Sequence, residues 1–181
     1  EAYTLDDDFL VARNSIEECF DFIEAECDLA ASLLPLEHAD NHKGRATQGG
    51  ALALKSRALL YAASDFYHDP SWAGGYASPE LISFAGANRA ALWQKAKDAA
   101  KAVMDLGIYD LYKKDPAAGE DHAKNYGDIF LQKETIEDIH VQFFIPNLDF
   151  GWDGYNPGLY NNPNGYHGWG SNTPIGQHVD A

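Results

Sequence analysis

The chain is poor in cysteine, in long apolar runs and, over its last quarter, in basic residues. Each shortage excludes something. Only Cys19 and Cys27 occur. Within one helical pattern their spacing separates them by about 12 Å along the axis, and a disulfide needs Cα atoms within about 7 Å. They are not expected to pair. Cys27 falls on an apolar stripe and reads as a buried thiol acting as a small hydrophobe, so the redox compartment stays open. No run of about 18 apolar residues is present, and no membrane-spanning helix is expected. The start, EAYTLDDDFL, matches neither a signal peptide nor a lipidation site and lacks an initial Met. It reads as the edge of a processed or excised piece.

The third shortage is electrostatic. Lys133 is the last basic residue, and the 48 positions from Glu134 to Ala181 hold no Lys or Arg. Over the whole chain 13 basic residues face 28 acidic ones, a formal net charge of −15. Such a field repels phosphate backbones and anionic lipid. No nucleic-acid partner is expected, and neutral or cationic ligands suit the chain better.

Catalytic signatures are also missing. There is no G-x-S-x-G elbow, no phosphate loop and no G-x-G-x-x-G. Asp149-Phe150-Gly151 copies a kinase triplet without its companion motifs. His38 and His42 lie in HADNH, where Asp40 and Asn41 replace the glutamate a zinc protease needs; the segment reads as a solvated loop. Asp6, Asp7 and Asp8 lack the alternation and glycine of a calcium loop and read as a charged terminus. Asp149 and Asp153 flank an aromatic patch, but nothing sets the facing geometry a glycosidase requires. No enzyme, cofactor or metal is expected.

What is present is mostly helical. Ser15 and Glu18 make a capping box, and Ile16, Phe20, Ile23, Cys27, Ala30 and Leu34 recur at steps of 4, 3, 4, 3 and 4, one amphipathic stripe stopped by Pro35. A second helix is expected from near Thr47 to about Tyr67. Its sequence is apolar on several faces, which suits an element wedged between neighbours. A loop over 68–87 carries Trp72 and Tyr76. Asn88 caps a third helix with a core stripe of Leu92, Ala96, Ala99 and Val103, widened by Trp93, Ala100 and Met104; Gly107 suits its C-terminal turn. A short fourth helix is expected over about 123–132, presenting Tyr126, Ile129 and Phe130. Alternation of Ile139, Val141, Phe143 and Ile145 then predicts a strand.

The remainder, GWDGYNPGLYNNPNGYHGWGSNTP (151–174), gathers two Trp, three Tyr, five Asn and six Gly. Pro157, Pro163 and the glycines forbid a helix. Sugar rings offer an apolar C–H face for aromatic stacking and hydroxyls for amides and backbone groups. Trp152, Tyr155, Tyr160 and Tyr166 are candidate platforms, with Asn156 as a hydrogen-bonding amide and Asn161, Asn162 and Asn164 nearby. Trp169, inside GWGSNTP, reads as structural. Trp72 and Tyr76 form a second candidate platform. For each ring the alternative is packing onto the helices.

RNSIEECFDFIEAECDLAASLLP, GRATQGGALALKSRALLYAAS, WQKAKDAAKAVMDLGIYDLY, NYGDIFLQ and GWGSNTP resemble, in this order, the SusD/RagB family of outer-membrane glycan-binding lipoproteins. The resemblance covers roughly residues 13–181. It implies a mainly α fold of tetratricopeptide-like helical hairpins, with a short strand and a long aromatic-rich coil. It divides the chain into an N-terminal segment (1–12), a helical core (13–133) and the beginning of a ligand-facing subdomain (134–181). Family members are longer, with a lipidated N-terminal cysteine and a further C-terminal region that this chain does not contain. The implied function is non-catalytic capture of an oligo- or polysaccharide at the cell surface, with handover to a SusC-like TonB-dependent transporter. Some family members are thought to take peptides or other nutrients. The rival expectations are a helical scaffold that binds only protein and, further off, a glycan hydrolase.

Overall fold

A computed structural model of the chain describes residues 10–84 and 87–143. The chain divides into two units, Glu1–Gln142 and Phe143–Ala181, and all described residues except Phe143 belong to the first. Of the described residues 54% are helical, which makes this a mainly α protein.

The first helix, α1 (Ile16–Leu33), starts where the capping box places it. The Ser15 hydroxyl accepts the Glu18 N–H at 3.2 Å, and the Glu18 carboxylate accepts the Ser15 N–H at 2.8 Å. Those bonds hold the Glu18 carboxyl below its ordinary range. Leu34 is already extended (ψ 146°), as a residue before proline must be. Every member of the predicted stripe is at least partly covered, and Cys27 is buried, as is Ala31 beside it. Burial raises the Cys27 thiol pKa, with a smaller contribution from Asp28.

Helix α2 (Gln48–Ala62) is capped by Thr47, whose hydroxyl accepts the Gly50 N–H. The connection folds back tightly, since the Gln48 N–H reaches the Pro35 carbonyl at 3.0 Å. Gly49 is glycine for a steric reason: a Cβ there would collide with the Tyr109 ring. The helix ends earlier than its apolar run suggests. The Ala63 N–H bonds to Leu59, the Ser64 hydroxyl folds onto the Tyr61 carbonyl, and Ser64 turns extended (ψ 154°). Asp65–His68 form a separate single turn, α3. The longer prediction failed because a serine competing for a backbone carbonyl can end a helix that composition alone would continue.

Helix α4 (Arg89–Asp105) is capped by the Asn88 side chain on the Ala91 N–H, and Gly107 takes the left-handed conformation just beyond it (φ 70°). Ala96, Ala99 and Val103 are buried, whereas Trp93, Ala100 and Met104 are exposed. The buried stripe is therefore narrower than expected, made of two alanines and Val103.

That neighbour is α2, which packs on both α1 and α4. Leu59 meets Ala96 and Ala99 at the centre, and Ala62 and Ala63 are fully enclosed. Ion pairs stitch the same three helices together. Lys55 of α2 reaches Asp28 at 2.7 Å and Glu24 at 3.4 Å on α1, and Lys95 of α4 reaches the same Glu24 at 2.8 Å. Burial works against the Lys55 charge, but Asp28 and Glu24 together outweigh it and raise the lysine's pKa.

Helix α5 (His122–Ile129) is capped by Asp121, with Tyr126 and Phe130 edge to face and both exposed. Lys113, in a left-handed conformation (φ 49°), donates to the buried Asn125 at 2.8 Å and closes the loop between α4 and α5. The predicted strand does not form over 139–143; residues 144 and 145 lie outside the described residues. Instead 135–138 make a turn, in which the Asp138 carboxylate accepts the Thr135 N–H at 2.6 Å. The Glu137 carboxylate accepts the Tyr112 N–H, and the Ile136 carbonyl accepts the Asp110 N–H. Alternation names two faces, but a strand also needs a partner. Among the described residues there is none.

Candidate functional site

Of the candidate ligand residues, Trp72 and Tyr76 can be placed. Trp152, Tyr155, Asn156, Tyr160 and Tyr166 lie outside the described residues, as do Trp169 and the neighbouring asparagines.

The region around Trp72 is built from the break after α2. In α3 the three consecutive rings differ in burial: Tyr67 and His68 are partly covered and Phe66 is exposed. Tyr67 and His68 turn toward the helices, where Phe84 and Phe20 meet them. Phe20–Phe84 lie 5.3 Å apart, Phe20–Tyr67 5.9 Å and His68–Phe84 5.7 Å between centroids. His68 Nε2 sits 3.0 Å from the Ala62 carbonyl, and the Phe84 N–H returns to the Tyr67 carbonyl at 2.8 Å. The loop thus leaves and re-enters the helical body at one point, anchored by four rings.

Phe66 stands edge to face with Tyr67, 5.2 Å between centroids, but stays exposed. Trp72 lies flat on it, with centroids 4.9 Å apart and planes 10° from parallel. The indole N–H donates to the Phe66 carbonyl at 3.1 Å. One face of the indole and its only polar group are therefore already used, yet Trp72 remains 52% exposed and Phe66 58%. The exposed area of Trp72 has to come from its second face and outer edge. The ring is fixed in place and open on one side.

The backbone holds that arrangement. The Asp69 carboxylate accepts the Ser71 N–H at 3.0 Å and caps a short 3₁₀ turn, Pro70–Ala73, with Pro70 at its first position. The same hydrogen bond keeps the Asp69 carboxyl below its ordinary range. Gly74 (φ 61°) and Gly75 (φ 85°) then reverse the chain. A Cβ at either would meet only open space, so glycine is needed there for its backbone conformation. Tyr76 follows, 48% exposed. On the inner side Arg89 donates to the Ala63 carbonyl at 3.1 Å and pairs with Asp65.

Trp72 and Tyr76 are both exposed in this loop, and Trp72 has Phe66, a residue not among the candidates, stacked against it. Sequence reasoning missed Phe66 because it absorbed the residue into an over-long α2. The available signal was Ser64-Asp65, a serine and an acid of the kind that stop one helix and start another.

His38 Nε2 contacts the Ala46 carbonyl at 2.9 Å within its loop. Among the described residues no group of three His, Cys, Asp or Glu side chains is placed to hold a metal ion, and no helix is long and apolar enough to cross a membrane. No family model matches the chain. No characterised protein matches it in sequence.

Proposed function

We propose that this protein captures a glycan without cleaving it, at the outer face of an outer membrane, as the SusD/RagB-like sequence blocks imply. The observation that carries the reading is Trp72, held flat on Phe66 with its far face open. A fixed aromatic plane meets the C–H face of a pyranose with little ordering cost at binding. The segment 151–174, with Trp152, Tyr155, Asn156, Tyr160 and Tyr166, is the second proposed contact region. The deficit of Lys and Arg after Lys133 agrees with an uncharged ligand.

We further propose that α1, α2 and α4 belong to a tetratricopeptide-like array, since α2 packs between its two long neighbours through small residues. Handover to a SusC-like TonB-dependent transporter follows from the same resemblance. Exposed apolar side chains on α1, Phe22, Leu29 and Leu33, suit a protein contact. They also keep a protein-only scaffold in play as the second reading.

The deciding experiment is a titration of the full-length protein with soluble polysaccharides, read by intrinsic Trp fluorescence and affinity electrophoresis. Saturable binding by one class is expected. Trp72→Ala should weaken it at least about fivefold, since losing one stacking contact costs on the order of 1 kcal/mol. Trp72→Phe should retain most of the affinity, and Trp93→Ala on α4 should match the parent. Binding untouched by Trp72→Ala, or no binding to any polysaccharide, would favour the protein scaffold. Release of new reducing ends would favour a hydrolase.

A further inference from the structure

The platform's charge surroundings bear on which glycans it can accept. Between Arg57 and Arg89 the chain has no Lys or Arg, and its charged residues there are Asp65, Asp69 and Glu80. His68, the one other titratable base in that stretch, faces inward, stacked on Phe84. Arg57 on α2 and Arg89 on α4 are the fixed cations nearest in sequence on either side, and Arg89 is occupied by the Ala63 carbonyl and Asp65. Asp69 stands between the two stacked residues in sequence, exposed, with its carboxylate accepting the Ser71 N–H and a further hydrogen bond from the Ser71 side chain. Among the described residues it has no ion-pair partner. In a 3₁₀ turn of roughly 2 Å rise per residue, Asp69 lies only about 6 Å along the axis from Trp72. That is within the screening length of about 8 Å at physiological salt.

We infer that Asp69 makes the Trp72 platform selective against acidic glycans, so that it takes uncharged sugar rings and rejects uronates and sulfated sugars. The inference rests on the proposed glycan-binding function and adds a specificity residue to it. A uronate stacked on Trp72 would bring its carboxylate beside Asp69, the charged side chain nearest to the ring in sequence, whereas a neutral pyranose meets the same ring without that repulsion. The hydrogen bond from Ser71 keeps Asp69 ionised below the ordinary carboxylate range, so the discrimination extends into mildly acidic solution.

The test uses matched pairs: soluble β-glucan, galactomannan and xyloglucan, each beside the same polymer oxidised at C6 to the uronate. Affinities for the full-length protein are compared with those of Asp69→Asn, whose amide oxygen can still accept the Ser71 N–H. The expected result is tighter binding of the neutral member. Asp69→Asn should narrow that ratio by about two- to fivefold, the effect of one like charge at this range, and 0.5 M salt should narrow it too. Equal binding of both members would overturn the inference and leave glycan capture standing. So would a ratio unmoved by Asp69→Asn and by salt, which would trace the preference to the lost C6 hydroxyl. If neither member of any pair binds, the proposed function fails and takes the inference with it.

Discussion

Leu59→Ala offers the sharpest check on how the helical body is held together. Leu59 is 3% exposed and meets Ala96 and Ala99 where α2 crosses α4. Truncation removes three carbons, about 2.4 kcal/mol of transfer free energy at ~0.8 kcal/mol each. A cavity term adds to this, because alanines opposite have no longer side chain to swing into the space. A loss of about 3–4 kcal/mol follows, a large part of the ~5–15 kcal/mol typical of a domain. Leu60, the next residue, is 50% exposed, so Leu60→Ala should cost only about 1 kcal/mol. Urea unfolding followed by far-ultraviolet circular dichroism measures both. The denaturant slopes should stay equal, so that midpoints compare directly. Equal costs for the two leucines, or a Leu59→Ala loss under about 1 kcal/mol, would refute this account of the core.

Two other perturbations probe different physics. Gly49→Ala adds a methyl where the Tyr109 ring stands; overpacking of this kind costs about 1–3 kcal/mol. Thermal melts should show the loss, and Tyr109→Leu in the same background should recover part of it. A neutral Gly49→Ala would mean the ring moves freely. Acid should also destabilise the fold. Glu18 is held below its ordinary range by Ser15, Asp69 by Ser71, Asp110 by the Leu111 N–H and Lys114, and Asp128 by Lys124 and Lys113. With folded values below unfolded ones, the unfolded chain takes up protons first. The stabilisation they contribute is complete above about pH 4–5 and is lost as pH falls through the folded values. Urea midpoints should therefore drop between pH 5 and pH 3, and a midpoint at pH 3 equal to that at pH 5 would contradict the assignment.

Much of the local structure was legible in the chain because its signals are local. The Ser15–Glu18 box, the Asn88 cap, the Pro35 stop and Gly107 act within a turn of where they occur. The stripe on α1 and the all-round apolarity of α2 announced which helix is outer and which is wedged. The readings that failed depended on distant partners. The alternation over 139–145 could not reveal that no strand waits beside its described part. The wider stripe on α4 could not reveal that Trp93 and Met104 stay in solvent.

The site divides along the same line. Sequence by itself determined that Trp72 stands in a Pro- and Gly-punctuated loop, in a stretch free of Lys and Arg, because composition and turn chemistry are properties of neighbours along the chain. Only the tertiary structure decided that Ser64 ends α2 early and that Phe66 stays exposed, under the Trp72 ring. It alone showed that the indole N–H closes onto the Phe66 carbonyl. Those outcomes depend on Phe20 and Phe84, brought from far along the chain to hold Tyr67 and His68 on the inner side. The competition for the inner side is settled by packing, and no pattern read along the chain contains it.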